Sequence, residues 1–218
     1  MNHQIIAISW NHHYTPIEFR DSLSLNWNEQ QHFLHFNLEG NSTKEIVGLS
    51  TCNRVEFYAV SKSTKDVLDA IEHIYASMLK REIQWEQAKP KGYVAIKAYQ
   101  HLCRVSVGME SMVIGEYQIL SQVKVVQKTV EQIQPKYQRL IQLFSRAISH
   151  AEEIRNKIPI GSGPTSISAL AVRTVMDLFG ELTKKRVLVV GAGETATLTA
   201  ECFKEAGVVD FIIANRNE

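Results

Sequence analysis

Residues 5–8, Ile-Ile-Ala-Ile, form a short apolar run of β-branched character that predicts a buried strand. The polar Asn11, His12 and His13 follow, and Pro16 suits the first turn of a helix that reaches about Leu23. From Trp27, the apolar Phe33, Leu34 and Leu38 recur at helical spacing until Gly40, Asn41 and Ser42 break the pattern. Residues 46–49 and 55–60 predict two strands around a polar tip at 50–54. Another helix starts near Lys65 and lines Val67, Leu68, Ile71, Ile74, Tyr75 and Met78 along one face. The order β, α, β, β, α fits a split βαβ sandwich and leaves open whether a closing strand falls near residues 83–85.

From Tyr93 the apolar spacing changes to that of long helices, over 93–107, 117–133 and 137 to about 157, with Pro135 and Pro159 as breaks. Residues 159–164 hold two prolines and two glycines, which sustain neither periodicity, so the expected domain boundary lies there. Beyond it a helix over 166–179 leads to a buried-type strand at 187–190, a glycine turn, a helix to Ala206 and a strand at 211–214. The expected fold class is therefore mixed α/β. A split βαβ sandwich with long helices fills 1–158, and 159–218 begin a Rossmann-type NADP-binding domain.

Composition narrows this picture. At 218 residues with 44% hydrophobic content, the chain is long enough for one to two packed domains. Its 24 Lys and Arg balance 23 Asp and Glu, so any nucleic-acid contact must be a local patch rather than a broad field. The first ten residues carry no Lys or Arg before an apolar run, and no stretch reaches membrane-spanning length, so a cytoplasmic protein without membrane contact is expected. Cys52, Cys103 and Cys202 are widely spaced and odd in number, which predicts three free thiols and no metal site.

Two stretches carry chemistry. Residues 187–196, Val-Leu-Val-Val-Gly-Ala-Gly-Glu-Thr-Ala, run a strand into a Gly-x-Gly-x-x-Ala turn that opens a helix. Gly191 permits the tight turn, Gly193 lets backbone approach a pyrophosphate, and Ala196 allows close helix packing, while Ala192, Glu194 and Thr195 supply the intervening backbone. After the next strand, where an NAD enzyme places an acidic residue, stand Asn215 and Arg216, which suit a 2′-phosphate and favour NADPH. The chain stops at Glu218, so only part of that cofactor site is expected in it. The second stretch is the tip 50–54, Ser-Thr-Cys-Asn-Arg, where Cys52 is placed as a nucleophile and Arg54 as a nearby cation that favours thiolate. Most free cysteines are small buried hydrophobes, so on composition alone a structural role is the favoured reading of Cys52.

The tip and later segments together resemble the glutamyl-tRNA reductase family. Residues 50–58, Ser-Thr-Cys-Asn-Arg-Val-Glu-Phe-Tyr, are similar to its nucleophile motif, and 101–124 to its long signature. Asn11, His12 and Pro16 resemble its opening motif, and the glycine turn its NADPH site. Three positions depart: Glu110 where aspartate is usual, Ser121 where glycine is usual, and Tyr117 where proline is usual. The resemblance implies Cys52 as nucleophile and His101 as the imidazole that matters for activity. It implies a glutamate pocket lined by Thr51, Cys52, Asn53, Arg54, Ser111, Glu116, Tyr117, Gln118 and Gln122. Arg54 suits the substrate carboxylate and Glu116 its ammonium.

The implied reaction is NADPH-dependent reduction of glutamyl-tRNA to glutamate-1-semialdehyde through a cysteine thioester, on the C5 route to tetrapyrroles. Glutamyl-tRNA(Glu) is the implied substrate, glutamate-1-semialdehyde aminomutase an implied partner, and the full-length protein an expected homodimer through a C-terminal domain this chain lacks. Apart from the resemblance, two other functions fit the composition: an NADP-dependent dehydrogenase of a small carbonyl metabolite, or a non-enzymatic tRNA-binding module. His32 and His35, and the basic Lys80, Arg81, Lys89, Lys91 and Lys97, are expected on solvated faces.

Overall fold

The structure, a computed structural model, describes residues 2–36, 38, 42–158, 160 and 166–216. The glycine-asparagine break at Gly40 and Asn41 and nearly all of the expected boundary at 159–164 lie outside those residues. The chain divides into two compact units, Met1–Met112 with Gln118–Ile158, and Val113–Tyr117 with Pro159–Glu218. The short stretch Val113–Tyr117, which falls within the first expected domain, 1–158, groups with the second unit.

In the first unit the order is β1 (Gln4–Asn11), α1 (Ile17–Leu23), α2 (Trp27–Leu34), β2 (Glu45–Ser50), β3 (Arg54–Ser61), α3 (Thr64–Ser77) and β4 (Lys91–Val94). Three longer helices follow: α4 (Ile96–Val107), α5 (Gln118–Ile133) and α6 (Gln138–Lys157). The strands pair in the order β2-β3-β1-β4, every neighbour antiparallel, which is the arrangement of a split βαβ unit. The closing strand is Lys91–Val94, not residues 83–85, where a single 3-10 turn sits at Trp85–Gln87. Tyr93 therefore belongs to a strand, and the helix predicted from it begins three residues later, after Ala95 turns the chain at a positive φ of 51°.

Strand parity sorts the side chains onto two layers. Phe57 stacks on Phe33 of α2 and meets Tyr75 of α3 edge-on, so the Val55, Phe57, Ala59 face packs on α2 and α3. The opposite face, with Glu56 and Tyr58, meets His101 of α4 and Phe144 of α6. Every residue of β3 is buried, because helices cover the sheet on both sides. Caps fix the helix ends: Asn26 and Glu29 form a capping box at α2, Ser63 caps α3, and Gly108, in the left-handed region at φ 85°, closes α4.

The second unit contains α7 (Ile167–Phe179), β5 (Arg186–Val190), α8 (Glu194–Glu205) and β6 (Asp210–Ala214). The two strands run parallel with α8 as the crossover, the start of a Rossmann-type sheet. Its buried hydrophobic cluster is small: Val172, Leu182, Phe203 and Val208. Among the described residues no helix is long and apolar enough to cross a membrane.

Candidate active site

The β2–β3 connection is a short tip closed by the Thr51 N–H, which donates to the Arg54 carbonyl at 2.9 Å. Asn53 N–H donates to the Thr51 hydroxyl at 3.2 Å, and the His12 N–H, from the end of β1, donates to the Asn53 carbonyl at 3.0 Å. Cys52 sits on this braced tip and is exposed, as a nucleophile must be.

Arg54 is the first residue of β3 and points into the layer between sheet and α4, where it is only 1% exposed. Its Nη1 donates to Glu56 Oε1 at 3.2 Å and its Nη2 to the Glu110 carbonyl at 2.6 Å. Glu56 has no solvent exposure and accepts four donors: Ser9 Oγ at 2.9 Å, Arg54, Tyr58 Oη at 2.7 Å and His101 Nε2 at 3.0 Å. Burial acts to raise the Glu56 pKa, but the positive fields of His101 and Arg54 and the hydrogen bonds from His101 and Tyr58 outweigh it and hold the carboxyl at about 2. His101 is itself clamped, its ring stacked on Tyr93 with centroids 4.1 Å apart. This places His101 in a buried ionic network next to the cysteine tip, not at the surface of α4.

Two polar atoms near this network are buried with no hydrogen-bond partner among the described residues: His12 Nδ1 and Ser111 Oγ. Buried hydroxyls and imidazoles are satisfied in most folded proteins, so these atoms mark where a polar ligand or water would be welcome. Ser111 follows Glu110, whose carbonyl Arg54 holds, so it belongs to the same neighbourhood. Gln118 and Gln122 are exposed one turn apart on α5. Glu116 and Tyr117 fall in the stretch that groups with the second unit, where the Glu116 N–H donates to the Val113 carbonyl and Tyr117 is exposed. The first unit thus gathers Thr51, Cys52, Asn53, Arg54, His101 and Ser111 around the tip.

A family model for the N-terminal domain of glutamyl-tRNAGlu reductase matches residues 8–158, most of the chain. The chain belongs to the glutamyl-tRNA reductase family. A second model, shikimate / quinate 5-dehydrogenase, matches residues 173–218. The glutamyl-tRNA reductase of Stenotrophomonas maltophilia is 36% identical over 210 residues, 96% of this chain and 47% of that protein. That of Carboxydothermus hydrogenoformans is 31% identical over 98% of this chain and 47% of its own length. The solved glutamyl-tRNA reductase from Methanopyrus kandleri superposes with a TM-score of 0.66 at 27% identity, covering 98% of this chain and 49% of that one. The chain spans about half the length of the glutamyl-tRNA reductases it matches.

The glycine turn of this reductase-family chain has the shape a dinucleotide pyrophosphate needs. Gly191 lies at φ 109°, and its N–H donates to the Ala214 carbonyl at 2.7 Å, which ties the turn to the end of β6. Gly193 is the N-cap of α8, which has no side-chain cap, so its first N–H groups are open to an acceptor. A Cβ added at Gly191 or Gly193 would meet nothing within 4 Å, which leaves the backbone approachable from outside. A cavity of about 570 Å³ lies against Val190, Gly191, Gly193, Thr195 and Ala196. These features fit a nicotinamide dinucleotide, and Asn215 and Arg216 follow β6 where its ribose is expected.

Sequence reasoning missed Glu56. It stands inside the quoted family motif, yet a lone glutamate between Val55 and Phe57 looks like the solvent side of a half-buried strand. Only the alternation of Arg54, Glu56 and Tyr58, three groups able to bond one another on one face, pointed to a buried network.

Proposed function

We propose that this chain is the catalytic portion of an enzyme that reduces glutamyl-tRNA to glutamate-1-semialdehyde with NADPH, the committed step of tetrapyrrole synthesis by the C5 route. The observation that carries the reading is the exposed Cys52 on a braced tip beside the buried Arg54–Glu56–His101 network. The Cys52 thiolate attacks the aminoacyl carbonyl, the ester bond breaks at the tRNA ribose oxygen, and a glutamyl thioester remains on Sγ. When bound, NADPH supplies the hydride that takes the thioester to the aldehyde. Thr51 and Asn53 hold the tip, and Ser111 offers a hydroxyl to the bound amino acid.

Arg54 pairs with the substrate carboxylate in place of the Glu110 carbonyl that Nη2 now holds. Glu116 accepts the substrate ammonium, with Tyr117, Gln118 and Gln122 completing the pocket. Glu56 holds Arg54 and His101 in position through their hydrogen bonds to its carboxylate. Gly191, Ala192, Gly193, Glu194, Thr195 and Ala196 cradle the pyrophosphate of NADPH, and Arg216 with Asn215 its 2′-phosphate. The protein works in the cytoplasm, as a homodimer in its full-length form, and hands the aldehyde to glutamate-1-semialdehyde aminomutase.

The test is direct. Incubation with tRNA(Glu) carrying isotopically labelled glutamate, followed by peptide mass spectrometry, should find a glutamyl adduct on the Cys52 peptide. No adduct on Cys52, or an adduct that persists in Cys52→Ser, refutes the assignment.

A further inference from the structure

A second concave site lies at the other end of the sheet. A cleft of about 480 Å³ is lined by Arg139, Gln142, Leu143, Arg146 and His150 of α6 and by Ile5, Ala95, Ile96 and Tyr99 from β1 and the start of α4. The four polar residues recur at spacings of three, four and four along α6, so they form one stripe down a single helix face. That helix buries Leu140, Leu143, Phe144, Ala147 and Ala151 on its inner face, which leaves the stripe turned outward over the start of α4.

The charge is one-sided. Among the described residues no carboxylate lines the cleft, and α4 has no acidic residue in its first turn. Glu45, the carboxylate near Arg139, accepts the Leu140 and Arg139 N–H groups at 2.9 and 3.4 Å and so is engaged by the helix backbone. Arg139 Nη1 donates to the His3 carbonyl, and His150 Nδ1 meets the Tyr99 hydroxyl, so two cleft residues are pre-oriented. An exposed basic stripe on a convex helix is ordinarily a solvated face. Here the stripe forms one wall of a hollow whose opposite wall is apolar, with Ile96 64% exposed. Cations facing an apolar wall suit a group that is both anionic and flat, such as a phosphate joined to a nucleoside.

Position favours an RNA source. Ile5 and Asn11 stand at opposite ends of β1, and Arg54 pairs with Asn11, so the cleft lies about 20 Å from the cysteine tip at ~3.3 Å per residue. A single RNA strand whose aminoacylated end lies at Cys52 spans that in a few nucleotides. We propose that this cleft is a phosphate-binding site that takes a backbone phosphate and nucleoside of the substrate RNA. The proposal rests on the glutamyl-tRNA reading above and adds a site remote from the thiol.

The test compares the wild-type chain with Arg146→Glu and, as a milder charge change on the same stripe, Gln142→Glu. Binding of fluorescently labelled tRNA(Glu) is read by anisotropy over a salt series, and AMP and inorganic phosphate are titrated by heteronuclear NMR. The expected result is RNA binding weakened about tenfold or more by Arg146→Glu, with the slope of log Kd against log salt reduced by about one, and a smaller loss for Gln142→Glu. If instead AMP shifts the resonances of α6 and Arg146→Glu abolishes that shift while RNA binding holds, the phosphate site stands with a free nucleotide as its source. RNA binding and salt slope identical in all three proteins, together with no AMP or phosphate shift at α6, overturns it. Failure of the wild type to form the Cys52 adduct would sink the functional reading instead, and the AMP titration would still decide the cleft.

Discussion

Both units of this chain are built around strands and helices, but only one covers both faces of its sheet. In the first, β3 is buried along its whole length between two helical layers, and an arginine, a glutamate and a histidine are held together inside. In the second, the parallel pair leaves Leu188 60%, Val190 79% and Ile213 63% exposed. Parallel strands are stable when helices cover both faces, and among the described residues this pair is far less covered than β3. The difference teaches where preorganisation resides: the cysteine tip stands beside a fully enclosed polar network, whereas the glycine turn is shaped locally but thinly supported. The buried ionic network needs such closure, because a charge pair desolvated at zero exposure is stable only when every donor and acceptor is matched.

The sharpest way to separate chemistry from scaffold is Cys52→Ser. It should lower glutamyl adduct formation at least about a thousandfold in the mass-spectrometric assay. Because the side chain is exposed, the melting transition should change by no more than about 0.5 kcal/mol.

Next in size is Glu56→Ala. Removing the carboxylate that serves both Arg54 and His101 should cost about 3–5 kcal/mol, read as faster hydrogen exchange of the β1 and β3 amides. The same group sets a pH limit. Burial pushes its pKa up, but His101 and Arg54 prevail and bring it from 4.5 to about 2. A depressed carboxylate stabilises the fold fully above its unfolded pKa, so this contribution should persist above about pH 4.5 and fade as pH drops towards 2. Acid titration of wild type against Glu56→Gln, followed by circular dichroism, should show that slope in the wild type alone.

Smaller effects belong to the second unit. Gly191→Ala forces a side chain into φ 109° and should cost about 1–3 kcal/mol of local stability. It should also weaken NADPH binding in a fluorescence titration if the turn is the pyrophosphate cradle. Smallest of all, Asp210→Asn breaks the exposed Arg186–Asp210 pair, 2.6 Å apart, and should cost about 0.2–1 kcal/mol in a thermal melt. A loss at Asp210 as large as that at Glu56 would erase the contrast between the two regions.

Much of the fold was legible because period and punctuation agree. The strand–glycine–helix run at 187–196 and the tip between two apolar runs read directly, since each has its own local chemistry. The closing strand at Lys91–Val94 did not read, because four residues carry too little alternation and Tyr93 falls in step with the helical spacing of α4. Its strand character comes from pairing with β1, a partner more than eighty residues earlier. The cysteine stood out only through the resemblance carried by the tip and the later signature together, and the carboxylate that organises its surroundings did not stand out at all. Polar residues at alternate positions mean solvent in most strands, and only the coverage by α4 and α6 makes them interior here.

The bond from Arg54 Nη2 to the Glu110 carbonyl joins points 56 residues apart in sequence. If a substrate carboxylate takes this guanidinium as proposed, the Glu110 carbonyl loses its donor, so binding at Arg54 and loosening of the turn after α4 become one linked equilibrium. By reciprocity, whatever holds that turn in its released position would raise the affinity of Arg54 for the carboxylate by the same factor. On that proposal a single side chain would act as a latch between a ligand and a turn far along the chain.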